Sequence, residues 1–272
     1  MTGGLGNQIF QWAAGFALSK RLSIPMEILP DRLIAADQDF TNRNYELDYF
    51  SILPSRSGAS VVDATGAKIS HLLGLGMPPF EETSIAYDSR IQTISAGVTL
   101  KGYFQSWRYF SDCSSELTET LIRGATPTAS FDRLSAELRE KNWVGVHVRR
   151  GDYLRFPGVF ALCGRDYYAA AIESLSLAGV DEIVVFSESL ADAKSVVPQA
   201  TRYVDANEVG EPGDVVMLLA AANCVVGANS SLSWWGAFLN DIPGERKIFP
   251  KSWFGPKGWS SEDIVPPQWT LC

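Results

Sequence analysis

Apolar residues recur along the chain with two different periods, and these periods predict its helices and strands. Near the start, the segment 10–22 places Phe10, Ala13, Ala14, Ala17 and Leu18 on one face of a helix. From residue 130 onward, short apolar runs alternate with helical patterns. We predict helices at 131–141, 167–178, 190–196, 214–222 and 233–239, and strands at 143–148, 182–186, 201–204 and 224–227. This alternation is typical of an α/β fold with a parallel sheet covered by helices on both faces.

The N-terminal half has a less regular pattern. Prolines interrupt its short apolar runs, so we predict mixed loops and helices between residues 26 and 100. A strand is predicted at 98–104, followed by an aromatic turn at 105–110. Glycine, threonine and proline accumulate at 124–128, and there we place a boundary between an N-terminal domain, 1–125, and a C-terminal domain, 126–272.

Charge and composition argue against several classes of protein. With 31 acidic and 23 basic residues the net charge is −8, whereas nucleic-acid-binding proteins normally carry a basic excess. The four cysteines are far apart and the histidines are His71 and His147, which predicts free thiols and no metal centre. No leader or membrane-spanning segment is visible, so we expect a soluble, cytoplasmic protein.

The first motif with chemical potential is the loop Gly3-Gly4-Leu5-Gly6-Asn7-Gln8. Its glycines let the backbone approach a ligand closely, and the helix that follows offers free N–H groups and partial positive charge. Asn7 and Gln8 add side-chain donors. The spacing differs from the G-x-G-x-x-G of dinucleotide-binding folds, which disfavours a nicotinamide oxidoreductase, and a purely structural turn is the alternative.

The second motif ends the apolar run at 143–148. It delivers His147, Arg149 and Arg150 to the carboxyl end of a predicted strand, and Gly151 permits a sharp turn. Adjacent strand residues face opposite sides, so one arginine can bind a ligand while the other pairs with protein carboxylates. The alternatives are a solvated Arg-Arg-Gly turn or a coincidental Arg-Gly-Asp adhesion motif. Neither explains a histidine and two guanidinium groups after a buried run.

The third motif, at 228–236, follows the predicted strand 224–227. Asn229, Ser230, Ser231 and Ser233 lie where a helix begins, and hydroxyl and N–H groups there form an anion site. Two tryptophans follow; we expect burial of at least one, and carbohydrate stacking is possible for the other. Helix capping above core tryptophans is the alternative interpretation.

Carboxylates end two further predicted strands. Glu188 follows Ser187 after the strand 182–186, and Asp205 follows the strand 201–204. Either carboxylate could accept the two adjacent donors on the edge of a guanine. Asp37 and Asp39 match the D-x-D pattern that binds a divalent cation in another transferase fold, but no apolar strand precedes them, so we interpret them as surface residues.

Five segments in this order resemble glycosyltransferase family 11, the α-1,2-fucosyltransferases: GGLGNQIFQWA, GYFQSWRYF, HVRRGDY, FSES and ANSSLSWWGAFL. The resemblance covers nearly the whole chain. It implies a GT-B-like architecture with two Rossmann-type domains that face a cleft. It also implies GDP-fucose as the donor, an oligosaccharide or lipid-linked glycan as the acceptor with possible peripheral contact with a membrane, and transfer with inversion, without a metal ion or other cofactor.

Breaking the bond between fucose and phosphate leaves negative charge on GDP, and without a metal ion preorganised donors must stabilise it. We expect Arg149 to bind the pyrophosphate and Arg150 to hold Asp152. The catalytic candidates are Arg149, Asp152 as a base and Asn7 as an orienting group. The residues expected to contact the donor are Gly6, Gln8, His147, Arg150, Ser187, Glu188, Asp205, Asn229, Ser230, Ser231, Ser233 and Trp234.

Two features depart from the family pattern. Members usually begin with a strand before the glycine loop, and we expect that strand to be missing here. Ser189 stands where the family usually has a second acid after Phe-Ser. The alternatives are another GDP-sugar transferase with the same arginine turn, such as a protein or chitooligosaccharide fucosyltransferase, and a catalytically silent module that binds a nucleotide sugar or a glycan.

Overall fold

The computed structural model of the protein describes residues 1, 3–28, 44–55, 78–156, 158–175, 178–256 and 258–272, and at residues 152, 206 and 207 it describes the backbone alone. Asp37, Asp39 and His71 therefore lie outside the described residues. So does most of the segment for which the sequence predicts mixed loops and helices.

The centre of the structure is a six-stranded parallel sheet. Its strand order is β5-β4-β3-β6-β7-β8, and every neighbouring pair is parallel. The strands are β3 (Trp143–Val148), β4 (Glu182–Ser187), β5 (Arg202–Asp205), β6 (Cys224–Val226), β7 (Lys247–Phe249) and β8 (Thr270–Leu271). The order reverses beside β3, because the chain adds β4 and β5 on one side of it and β6 to β8 on the other. Ligands bind at such a switch point, beyond the carboxyl ends of the strands.

Helices cover both faces of this sheet. Val144, Val146 and Val148 of β3 pack towards α4 (Arg165–Ser174) and α5 (Leu190–Val196). The opposite face packs against a larger apolar cluster. The helices that contribute to that cluster are α1 (Leu5–Leu22), α2 (Ser114–Gly124), α3 (Ala129–Leu138), α6 (Ala206–Val209), α7 (Pro212–Ala220) and α8 (Ser231–Leu239). The predicted α/β class is thus confirmed.

The N-terminal half contains a small parallel pair of strands, β1 (Phe80–Glu81) and β2 (Leu100–Lys101). The strand predicted at 98–104 is therefore too long. It ends because the backbone turns away at Gly102, and the N–H groups of Tyr103 and Phe104 donate to the carboxylate of Glu82 instead of continuing a ladder. Short 3-10 turns follow at Trp107–Tyr109 and Ser111–Cys113.

The apolar core continues from the N-terminal half into the C-terminal half. Helix α1 packs on α8, where the Phe10 ring lies 4.6 Å from Trp234 and 4.9 Å from Trp235. A second contact between the two halves is polar. The buried carboxylate of Asp214 accepts a 2.7 Å hydrogen bond from the Tyr49 hydroxyl and a 3.2 Å bond from the backbone N–H of Thr128. The boundary at residue 125 stays a prediction, and the described residues on its two sides share these contacts.

Candidate functional site

The carboxyl ends of three neighbouring strands lie in register. Val148 of β3 is opposite Ser187 of β4, and Ser187 is opposite Asp205 of β5. The residues that leave the first two strands, Arg149 and Glu188, are therefore neighbours at the same edge. This edge is where a parallel sheet binds ligands.

Arg149 is held on two sides. Its guanidinium forms an ion pair with Glu188, and its central carbon lies 5.6 Å from the centre of the Tyr153 ring. The side chain of Arg149 is 17% exposed and that of Glu188 is 48% exposed. The cation is thus largely shielded, while its protein partner lies half in water, where an anionic ligand could compete with it.

Tyr153 connects the arginine to the next part of the site. Its ring stacks on Phe160 with the centroids 4.2 Å apart, and its hydroxyl donates a 2.9 Å hydrogen bond to the carbonyl of Asn229. Asn229 directly precedes Ser230, the N-cap of α8. One tyrosine therefore spans the gap between the guanidinium and the start of that helix.

Two helices begin at this place. A methyl group added to Gly6, in the first turn of α1, would lie 2.5 Å from the carbonyl carbon of Ser231, so only glycine allows the helices to approach so closely. The Trp235 indole also donates a 3.0 Å hydrogen bond to the carbonyl of Gly6. Neither helix has a side-chain cap or an acidic residue in its first turn. Unpaired N–H groups and partial positive charge from both helices therefore face the same region.

His147 lies just behind this region, inside the sheet. It is 5% exposed, and its Nδ1 atom is buried without a hydrogen-bond partner in the described part of the chain. Burial, together with the nearby charge of Arg149, lowers the pKa of His147 to about 3. The ring is therefore neutral at physiological pH and supplies no positive charge to the site.

Arg150 faces a different direction from Arg149. Its Nε lies 3.8 Å from a carboxylate oxygen of Asp192, and its Nη1 donates a 3.5 Å hydrogen bond to the carbonyl of Cys163. The two adjacent arginines thus face different protein carboxylates, Glu188 and Asp192, and the binding of a ligand by Arg149 stays a prediction. The expected pairing of Arg150 with Asp152 concerns a side chain outside the described ones, so it stays a prediction, as does the role of Asp152 as a base.

Four of the residues that were predicted to contact the sugar nucleotide are completely buried: Gln8, Asn229, Ser233 and Trp234. Gln8 donates to the carbonyls of Gly3 and Asn44 at 2.9 and 2.8 Å, and Asn229 donates to those of Ala161 and Trp253 at 2.7 Å each. Ser233 and Trp234 also donate to backbone carbonyls. These side chains hold the backbone of the loops around the site. This geometry does not favour their predicted direct contact with the sugar nucleotide.

The residues after β4 and β5 form local turns. Ser187 is buried and exchanges hydrogen bonds with the backbone of Ser189, whose own hydroxyl caps α5 by accepting from Asp192 N–H at 3.2 Å. Asp205 accepts a 3.2 Å bond from Glu208 N–H. Ser189, the departure from the family pattern, is thus a helix cap. A guanine contact by Glu188 or Asp205 stays a prediction.

One contact was not expected from the sequence. Gln105, in the aromatic turn after β2, donates a 2.6 Å hydrogen bond to Oδ1 of Asn7. Gln105 lies within the segment GYFQSWRYF of the family pattern, but no spacing rule could show that it contacts a residue 98 positions away.

Comparison with known proteins agrees with these observations. The model of glycosyl transferase family 11 matches residues 88–272, which is more than half of the chain. The chain belongs to this family. It is 28% identical over 290 residues to the O-antigen biosynthesis glycosyltransferase WbnK of Escherichia coli, covering 93% of each protein. It is 27% identical to the alpha-1,2-colitosyltransferase of Escherichia coli, covering 99% of this chain and 96% of that one.

Among solved structures, the NodZ alpha-1,6-fucosyltransferase soaked with GDP-fucose resembles this chain at 16% identity and a TM-score of 0.48, covering 89% of this chain and 90% of that one. The match to the family model shows that the protein is a glycosyltransferase of family 11. In the described part of the chain, no helix combines the length and the apolar character that crossing a bilayer requires. The same residues contain no cluster of three His, Cys, Asp or Glu side chains suited to a metal ion.

Proposed function

We propose that this glycosyltransferase is an inverting α-1,2-fucosyltransferase. It transfers fucose from GDP-fucose to a hydroxyl of a glycan acceptor, with O2 of a terminal galactose as the acceptor atom, and it needs no metal ion. A cytoplasmic location, a lipid-linked acceptor and peripheral contact with the membrane belong to the same proposal.

One observation carries the proposal: Arg149 lies beside the meeting point of two helix N-termini, with Tyr153 as the bridge. A departing nucleoside diphosphate gains negative charge as the glycosidic bond breaks. A guanidinium binds phosphate oxygens in a bidentate manner, and helix N-termini bind them through backbone N–H groups. Together these groups supply the positive charge that a divalent cation supplies in other transferases.

Inversion requires the acceptor hydroxyl to attack the anomeric carbon from the face opposite to the diphosphate. The attacking oxygen loses its proton, and a carboxylate of the site can accept it. Asp152, at the first position of the 3-10 turn Asp152–Arg155, is the proposed base. Asn7, in the first turn of α1, is the proposed orienting group.

The α-1,2 linkage and the deoxyhexose donor are supported by a relative at 27% identity whose name gives that linkage. The sugar in its name is colitose, the 3-deoxy analogue of fucose. This favours a second candidate function for the present chain, an α-1,2-colitosyltransferase. Both candidates transfer a deoxy sugar with the same linkage, and the two donor sugars differ in the hydroxyl at C3, which fucose carries and colitose lacks.

A donor and acceptor panel tests the proposal. Purified protein is incubated with GDP-fucose, GDP-colitose, GDP-mannose and UDP-galactose against a series of β-galactoside-terminated oligosaccharides, and products are identified by mass spectrometry and NMR. We expect transfer from GDP-fucose and an α-1,2 linkage. Preference for GDP-colitose would select the second candidate. GDP binding without transfer to any acceptor in the panel would support a silent binding module and contradict the proposal.

A further inference from the structure

A hydrogen bond between two amides joins the aromatic turn to the glycine loop. Nε2 of Gln105 donates to Oδ1 of Asn7 at 2.6 Å, and Gln105 is only 8% exposed, so water hardly competes for this bond. An amide carries its acceptor and its two donors on opposite branches. A bond that holds the oxygen of Asn7 therefore also fixes the direction of its NH2 group.

The NH2 group of Asn7 is located at the start of α1. A methyl group added to Gly3 would lie 2.4 Å from Nδ2, so the glycine loop wraps closely around this amide. The preceding residue, Gly6, contacts the backbone of Ser231 at the start of α8. Among the described residues, none accepts a hydrogen bond from Nδ2. The group is therefore available as a donor beside the two helix N-termini.

The turn that carries Gln105 is held in a strained conformation. Phe104, immediately before it, has a φ of 54°, a left-handed conformation that is uncommon for an aromatic residue. Such strain persists only where the surroundings enforce it. Here the carboxylate of Glu82 accepts the N–H groups of Tyr103 and Phe104 at 2.9 Å each, and its other oxygen accepts the Tyr109 hydroxyl at 2.9 Å.

We propose that Gln105 is a positioning residue for the transfer reaction: it orients the Asn7 amide so that its NH2 group donates to the departing diphosphate. The inference rests on the proposed function and deepens it. Glu82 holds the backbone of the turn, and the turn determines the position of Gln105. Gln105 in turn determines the orientation of the Asn7 amide. A reversed Asn7 amide would present its oxygen to the growing negative charge and would oppose the reaction.

The variant Gln105→Glu tests this because its effect depends on pH. An ionised carboxylate can only accept hydrogen bonds, so it draws the NH2 group of Asn7 towards itself and reverses the amide. A protonated carboxyl donates to Oδ1 and restores the native orientation. Burial raises the pKa of a carboxyl group, so protonation is expected as the pH falls towards about 6.

We expect kcat of Gln105→Glu to fall about 100-fold at pH 8, as for the loss of one preorganised donor, with a smaller change in KM. Relative to the unchanged protein, kcat should recover at least about tenfold between pH 8 and pH 5.5, because the protonated form then dominates. The affinity for GDP, measured by calorimetry, should likewise be weakened at pH 8 and recover at pH 5.5. This measurement does not depend on turnover.

Three control variants accompany it. Gln105→Met should lose activity without recovery at low pH, because methionine offers no proton. Gln92→Glu adds the same charge at an exposed glutamine whose amide donates to the Tyr87 hydroxyl, and its pH profile should match that of the unchanged protein. In an Asn7→Ala background, Gln105→Glu should have little further effect, because the residue through which it acts is gone.

A loss in Gln105→Glu that stays constant from pH 8 to pH 5.5, with an unchanged melting temperature, would overturn the proposal. So would full additivity with Asn7→Ala. The ratio between variant and unchanged protein is measured with whichever donor sugar the panel selects. A failure of GDP-fucose as donor therefore contradicts the proposed function without affecting this test.

Discussion

The guanidinium of Arg149 is paired with the carboxylate of Glu188, the residue that follows the neighbouring strand. The cation proposed to bind the diphosphate thus already has an anionic partner. A phosphate group that enters the site must displace Glu188 or share the guanidinium with it. We therefore expect the pair to influence the affinity for the nucleotide, and its two members can be tested separately.

Removing the charge of Glu188 should strengthen the binding of GDP. In Glu188→Gln the guanidinium loses one carboxylate that competes with the ligand. Because this pair is half exposed, we expect a gain of about two- to fivefold in affinity, equivalent to roughly 0.5–1 kcal/mol. Isothermal titration calorimetry at low and high salt measures it. Glu182→Gln, at the opposite end of the same strand and paired with Lys141, is the matched control and should leave the affinity unchanged.

The same variant also tests the expected guanine contact. If Glu188 accepts the donors of a guanine edge, Glu188→Gln weakens GDP binding and leaves the weak binding of UDP unchanged. That outcome would contradict a purely competitive role of the carboxylate.

Removing the guanidinium of Arg149 should abolish transfer. In Arg149→Ala the diphosphate loses a charge-assisted contact, and GDP binding should weaken by about 1.5–3 kcal/mol. Arg149→Lys keeps the charge but not the bidentate geometry, so its activity should lie between that of Arg149→Ala and that of the unchanged protein. Arg202→Ala removes an arginine of β5 that pairs with Glu137 and Glu208, and it controls for general effects on the fold. Turnover of Arg149→Ala at the level of the unchanged protein would refute the assigned role.

Chelation should have little effect on the reaction rate. The proposed charge stabilisation comes from Arg149 and the two helix N-termini, so transfer should persist after dialysis against EDTA. The assay compares chelated protein with samples to which Mg²⁺ or Mn²⁺ is returned. A loss of more than about tenfold that either ion restores would show that metal ions take part. Asp37 and Asp39 would then be the first residues to substitute.

The stability of the protein should decrease as the pH falls below about 6.5. His147 has a pKa of about 3 in the folded protein because burial disfavours its charged form. In the unfolded chain its pKa is near 6.5, so the unfolded state binds a proton that the folded state does not, and the free energy of unfolding falls from about pH 6.5 towards pH 3. Urea midpoints at pH 7, 6 and 5 measure the slope above the range where unperturbed carboxylates titrate.

His147→Gln removes this titration and should flatten the slope between pH 5 and pH 7. His71→Gln controls for the other histidine of the chain. Equal slopes in the unchanged protein and in His147→Gln would show that the ring is not buried in its neutral form.

The hydroxyl of Tyr49 should contribute measurably to stability. It donates to the fully buried carboxylate of Asp214, so Tyr49→Phe leaves a buried anion with one hydrogen bond fewer. We expect a loss of about 1.5–3 kcal/mol in urea unfolding. Tyr203→Phe removes a hydroxyl that donates to the carbonyl of Val197 on a partly exposed side chain and should cost less than about 1 kcal/mol. Equal losses in both variants would show that a hydrogen bond to the buried carboxylate contributes no more to stability than one to a backbone carbonyl.

The repetitive part of the fold was predictable because it depends on local patterns. The strand at 143–148 and the helix at 190–196 have the predicted bounds, since an uninterrupted apolar run and a capped amphipathic segment leave few alternatives. Helix α8 begins two residues earlier than predicted, at Ser231, because Ser230 takes the extended conformation of an N-cap. Arg149 and Arg150 also point to different partners, as alternation along a strand predicts, while the binding of a ligand by Arg149 stays a prediction.

The contacts that assemble the site were not predictable in this way. Nothing in the sequence near Gln105 indicates Asn7, and nothing near Gly6 indicates Ser231, since these pairs meet only when two helices and a turn pack together. Buried polar residues are hard to assign from sequence for the same reason. Gln8 and Asn229 have the right chemistry for a ligand, but the loops around them need the same donors.

The closeness of Gly6 and Ser231 has a practical consequence for any study of this enzyme. Two helix ends of like polarity lie side by side, and a small oxyanion such as phosphate or sulfate would relieve the repulsion between them. We therefore expect buffers and precipitants that contain these ions to compete with the nucleotide sugar and to raise the melting temperature at the same time. Kinetic constants should then depend on the buffer anion, so a zwitterionic buffer is the appropriate reference.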